Sequence, residues 1–238
     1  MSSLAAAIAL PDVLRAREAS FELSRAESVN PALGGTVDAF ERATPRFTLE
    51  YQSGPLKPAE LQAWRAWFLK LRGGQNTFLA WDPWAERPFD WPASTDPDSV
   101  TADSTVVTAD STAHTADETK YGWGNPRLTA VDASARTISL SDFAAGATIK
   151  AGDPISWDDG TNRRRVVAVA DATASASGVI SGLAVEPAPV APSSYPVRVD
   201  LYRAACEMRV DPASIRIPLN YRTNGQVSFA AYQIIRSV

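Results

Sequence analysis

Apolar and polar residues alternate along most of the chain, and a period of two is the mark of a half-buried strand. Phe21 and Leu23 occupy one phase of "ASFELSR", and Phe47, Leu49 and Tyr51 occupy one phase of "PRFTLEYQS". Strands are predicted at both places. Pro31, Gly34 and Gly35 in "NPALGG" put a turn between them. One segment departs from this period. In "KPAELQAWRAWFLKLRGG", Leu61, Trp64, Phe68 and Leu71 recur at helical spacing and fall on one face, leaving Glu60, Gln62, Arg65 and Arg72 for the other. Pro58 suits a first helical position, and Gly73 with Gly74 supplies the left-handed residue that ends a helix, so a helix is predicted over about 58–72. "NTFLAW" then returns to strand character.

The order of these elements decides how the glycine pair is read. A phosphate-cradling loop places its glycines after a strand and before a helix, so that helical N–H groups point at the anion. Here they follow a helix and precede a strand, which makes Gly73 and Gly74 a structural hinge.

The texture changes from Phe89 to Lys120, where a Thr-Ala-Asp core recurs at Thr101, Thr108 and Thr115. Such a heptad has no large apolar members, so it is no coiled coil. Asp96, Asp98, Asp103, Asp110 and Asp117 offer oxygen ligands, but their spacing matches neither an EF-hand loop nor a glycine-rich nonapeptide repeat. The segment is read as an exposed acidic arm or long hairpin. From Tyr121 short strands resume at "RLTAV", "RTISL", "DPISW", "RRRVVAVA" and "GVISGLAVEP", with Asp159 and Gly160 as a two-residue hairpin turn. They fit a small closed barrel. The proline-rich "EPAPVAPSSYP" follows as a connector. In "YPVRVDLYRAACEMRV" the apolar phase flips between Leu201 and Ala204, which predicts a β-bulge near Tyr202 or Arg203. "ASIRIPL" and "GQVSFAAYQII" read as the last strands.

Composition narrows the function. A chain of 238 residues that is 45% hydrophobic can bury one large core or two smaller ones and is not disordered throughout. With 23 basic against 27 acidic residues and no basic stripe, it lacks the footprint of a nucleic-acid groove. A single cysteine, Cys206, cannot build a disulfide framework or a multi-cysteine zinc site, and its apolar neighbours point to a buried inert thiol. "LAAAIALP" is too short for a membrane span and has no basic residue before it, so neither membrane insertion nor a secretory signal is expected.

Catalysis is tested by elimination. The only histidine, His114, lies in the acidic repeat, where nothing holds an imidazole against a nucleophile. Carboxylate pairs are the one catalytic arrangement the composition permits, yet no spacing singles out a pair. The expectation is a protein that is not an enzyme and that carries no cofactor.

The run "FTLEYQSGPLKPAELQAWRAWFLKLRGGQNTFLAWDPWAERP" resembles a segment common in tail proteins of long-tailed bacteriophages and prophages. There a strand precedes a helix with paired tryptophans, then a Leu-Arg-Gly turn, an aromatic strand and an Asp-Pro. "IKAGDPISWDDGTNRRRVVAVADATASASGVISGLAVEPAPVAP" looks like the small β-domain many of them insert, and "GQVSFAAYQII" is similar to the strand that completes their barrel. The family most resembled is the distal tail protein. The resemblance implies a mainly β chain: a tail-tube-like β-barrel or sandwich from 1–88 plus 195–238 with one packed helix, the acidic arm at 89–120, and an inserted small β-barrel at 121–194. It implies a virion structural protein of the tail tip, made in the host cytoplasm, forming a homohexameric ring. That ring would join the tail tube protein to hub or fibre proteins, with genome DNA passing through the lumen without specific binding. If the acidic arm faced that lumen it would repel a passing DNA backbone; facing outward it would simply be solvated.

Two alternatives remain from the residues. Another tail-tip component, a hub or tube-completion subunit, would share the pattern. A β-rich carbohydrate- or receptor-binding module would expose aromatics such as Trp84, Trp91 and Trp123. Trp64 and Trp67 are better suited to internal packing.

Overall fold

A computed structural model describes residues 7–8, 10–11, 16–31, 37–90, 124–217 and 225–235, with backbone alone at 27–31 and 37–42. The chain is mainly β, with one α-helix and one closed β-barrel, and it divides into two compact units: Met1–Trp84 with Ala205–Val238, and Ala85–Ala204. The acidic repeat, His114, Trp91, Trp123 and the "NPALGG" turn lie wholly or mostly outside the described residues.

In the first unit, β1 (Ala16–Pro31) and β2 (Val37–Ser53) form a long antiparallel hairpin. β3 (Phe78–Ala80), β12 (Cys206–Val210) and β13 (Ser228–Gln233) complete a sheet of order β1-β2-β13-β12-β3. Alternation assigns its faces. Phe47, Leu49, Tyr51, Phe229 and Ala231 are buried, and the rings of Tyr51 and Phe229 meet those of helix α1 (Pro58–Leu71). Within α1, Leu61, Trp64, Phe68 and Leu71 are buried, and so is Trp67. Phe229 is the hub of this packing, with ring centroids 5.2 Å from Tyr51, 5.7 Å from Trp67 and 5.6 Å from Phe68. Glu60 starts the helix by accepting the Lys57 N–H at 2.7 Å, tying down one of the first-turn donors.

The helix stops one residue earlier than the glycines alone would dictate. Arg72 is itself left-handed at φ 49°, and Gly73 and Gly74 continue at 64° and 89°, so a short left-handed turn hands the chain to β3. Beyond the hairpin, buried side chains satisfy buried backbone: Gln233 Oε1 accepts the Phe47 N–H at 3.1 Å, and Ser53 Oγ accepts the Val227 N–H at 2.8 Å.

In the second unit a closed barrel runs β10-β5-β4-β11-β7-β8, built from β4 (Gly124–Asp132), β5 (Thr137–Phe143), β7 (Pro154–Asp158), β8 (Arg163–Ala168), β10 (Ile180–Glu186) and β11 (Val197–Asp200). A small pair, β6 (Thr148–Ile149) and β9 (Ala172–Thr173), flanks the β7–β8 hairpin in sequence. Leu128, Ile138, Leu140, Ile155, Trp157 and Val185 fill the interior.

Four details differ from the sequence reading. The barrel takes β11, which pairs with β4 and β7, so the unit extends from Ala85 to Ala204 rather than from 121 to 194. The phase flip near Tyr202 is no bulge: β11 and β12 belong to different sheets, and the chain leaves one for the other through Leu201–Ala205, with Arg203 left-handed at φ 48°. The turn between β7 and β8 holds four residues, not two. Gly160 alone has positive φ, while the Asp159 carboxylate accepts the N–H groups of Thr161 at 2.7 Å and Asn162 at 2.6 Å. "ASIRIPL" opens in a 3-10 turn, Pro212–Ser214, capped by Asp211, and among its described residues only Arg216 makes a bridge, to Ser228.

Candidate interaction surface

The face of the first sheet turned away from α1 is set by the polar phase of the same strands. Glu18, Ser20 and Glu22 lie on β1, Thr48, Glu50 and Gln52 on β2, and Ser228, Ala230 and Tyr232 on β13. Register lines them up: Ser20 opposite Glu50 opposite Ala230, and Glu18 opposite Gln52 opposite Ser228. Trp84 borders this surface. Its indole N–H donates to the Ala19 carbonyl at 3.1 Å, its backbone N–H donates to Asp82 Oδ1 at 2.9 Å, and the residue stays 66% exposed. Trp84 and the residues Glu18, Ser20, Glu50, Gln52 and Ser228 line a cleft of about 580 Å³.

The second feature is an edge. Among the described residues, β1 is laddered on one side only, at the end of the sheet. At 16 residues it is far longer than the strand average of about 5–6. Its apolar Phe21 and Leu23 are only half-buried. β13 pairs with β2 from Thr48 to Gln52, so among the described residues the hairpin extends past it from Val37 to Phe47 as a two-stranded ribbon. The opposite edge, β3, is partly covered by Ile8, which bridges Phe78 in parallel.

Trp84 is thus the one proposed interaction aromatic within the described residues, and it is exposed. Gly74 is buried against β12, and Gly73 is exposed. Cys206 is buried and is not in a disulfide. Among the described residues no group of three or more His, Cys, Asp and Glu could hold a metal ion, and no helix is long and apolar enough to cross a membrane. In the second unit, the Lys150 ammonium lies 3.1 Å from Asp171 and 3.6 Å from Asp90, which raises its pKa, while the Ala151 N–H, donating at 2.9 Å, and then Lys150 depress that of Asp171. Asp153 nearby accepts the N–H groups of Lys150 and Phe89, each at 2.8 Å. Burial nevertheless raises its pKa, because desolvation outweighs those bonds. These groups fasten a turn. Burial also pushes the Tyr51 phenol well above its ordinary range, so it stays neutral within the aromatic core.

The cleft residues Glu18, Ser20, Glu50 and Gln52 carry no motif. The signal that locates them is the polar phase of the strands whose apolar phase marks the core. No protein-family model and no curated protein sequence matches the chain.

Proposed function

We propose that this chain is a structural subunit of a phage tail tip, forming a closed homomeric ring that joins the tail tube to the hub or fibre apparatus. The observation that carries the reading is the β1–β2 ribbon with its open β1 edge. A two-stranded ribbon is marginally stable alone in water, and a long strand paired on one side is a template for another chain. Pairing that edge with a neighbouring copy through a rotation that closes gives a ring and leaves no free edge to propagate aggregation. The resemblance of the helix-turn-strand segment to distal tail proteins supports the same assignment, and makes the ring a hexamer. A hub subunit would be trimeric instead.

Native mass spectrometry of the full chain tests this. The expected species is a hexamer in exchange with monomer, since ring interfaces form by mass action. Ser24→Lys combined with Ala26→Lys puts charge on the exposed residues of the open edge and is expected to leave a folded monomer. A hexamer that survives both substitutions, or a trimer in the parent chain, contradicts the reading.

A further inference from the structure

The cleft beside Trp84 has features that edge pairing does not account for. A tryptophan 66% exposed leaves much of its large apolar surface in water, and this one is held in place by bonds from both its indole and its backbone N–H. A rigid aromatic wall beside a polar floor is a preformed recognition element. The floor is chemically mixed: Glu18 and Glu50 accept, Arg17 donates, Ser228 does either, and Ser20, whose hydroxyl donates to Glu22 Oε1 at 2.9 Å, accepts. The Gln52 amide donates to Gln226 Oε1 at 3.2 Å, which orients its own carbonyl oxygen as an acceptor.

We propose that this cleft binds a neutral saccharide, one sugar ring stacking on Trp84 while Glu18, Glu50 and Gln52 bond its hydroxyls. Charge selects the guest. Two carboxylates repel an anion, and Arg17 in the same lining opposes a lysine or arginine side chain, which would otherwise suit an aromatic beside acids. A lipid tail would strip water from these polar groups without replacing their hydrogen bonds. A hydroxyl-rich neutral ring donates to the carboxylates, accepts from the guanidinium, and offers an apolar face to the indole. At about 580 Å³ the cleft lies within the usual range of small-ligand sites, and one chain supplies every lining residue, so binding does not require the ring.

The test is a titration of the full chain with maltotriose, cellotriose and triacetylchitotriose, each to about 10 mM, where even a millimolar Kd saturates, read by protein NMR. At least one is expected to bind saturably, with the Trp84 indole N–H among the shifted signals. Trp84→Ala is expected to weaken binding by about tenfold or more, while Trp84→Phe, which keeps a stacking face, retains most of it. Glu50→Gln, at an exposed position that leaves the core untouched, is expected to weaken it severalfold even if Trp84→Ala fails to fold. No saturation with any of the three, affinity unchanged by both Trp84→Ala and Glu50→Gln, or a Trp84-dependent preference for a lysine-rich peptide over all three sugars would each overturn the proposal. The oligomeric state is measured separately, so failure here leaves the ring reading intact.

Discussion

Arg72, Gly73 and Gly74 are consecutive left-handed residues, but a side chain would cost differently at the two glycines. A Cβ on Gly73 meets nothing within 4 Å, so Gly73→Ala should cost only the left-handed backbone penalty of about 1–2 kcal/mol. At Gly74 the same atom would lie 2.9 Å from the Val210 carbonyl oxygen and 3.4 Å from Pro212 Cγ. Gly74→Ala therefore adds a clash with β12, at about 1–3 kcal/mol more. Denaturant unfolding of the two variants should rank Gly74→Ala as clearly the less stable. Equal losses would mean the turn yields at no cost and is no hinge. Asp159 is the other residue whose environment makes a sharp claim. Burial opposes its ionisation, but the N–H groups of Asn162 and Thr161 and the Arg164 guanidinium outweigh it, and its pKa is depressed. A depressed folded pKa stabilises above the unfolded aspartate value of about 3.9 and loses that contribution as pH falls through the folded value. Asp159→Asn should then cost the barrel about 3 kcal/mol at neutral pH, since Arg164 is left buried without its partner. The gap between variant and parent should shrink on acidification below about pH 4. Hydrogen exchange at the barrel amides reads both, and a gap independent of pH would contradict the assignment.

At the scale of elements, the helix and the hairpin strands were legible because packing repeats their period in the sequence. Leu61, Trp64, Phe68 and Leu71 mark a face that the sheet buries, and Phe47, Leu49 and Tyr51 mark the face that receives it. The break at Tyr202 was visible only as a change of phase. An extra residue in one strand and a passage from one sheet to another reverse the alternation alike, and only pairing partners distinguish them. "ASIRIPL" misleads because its alternation is genuine while Asp211, followed by Pro212, caps a helical turn in front of it. The turn at Asp159 shows a related limit: a carboxylate that accepts neighbouring N–H groups lengthens a loop, and Asp-Gly alone does not announce it. The cleft was the least legible feature. Trp84 could be singled out by type, but Glu18, Ser20, Glu50 and Gln52 come together only through register between β1 and β2.

For the whole molecule, the central claim is that a chain whose described residues leave a long open edge and a two-stranded ribbon completes itself by assembly. The second unit closes its barrel, whereas among the described residues the sheet of the first ends on β1. If the proposed tail-tip role holds, the most direct measurement is cryo-electron microscopy of phage tails that contain this chain. The account predicts a sixfold ring of this chain at the end of the tail tube, with the β1 edge of each copy paired to the next. Threefold density, a position away from the tip, or a ring in which β1 faces solvent along its length would contradict it.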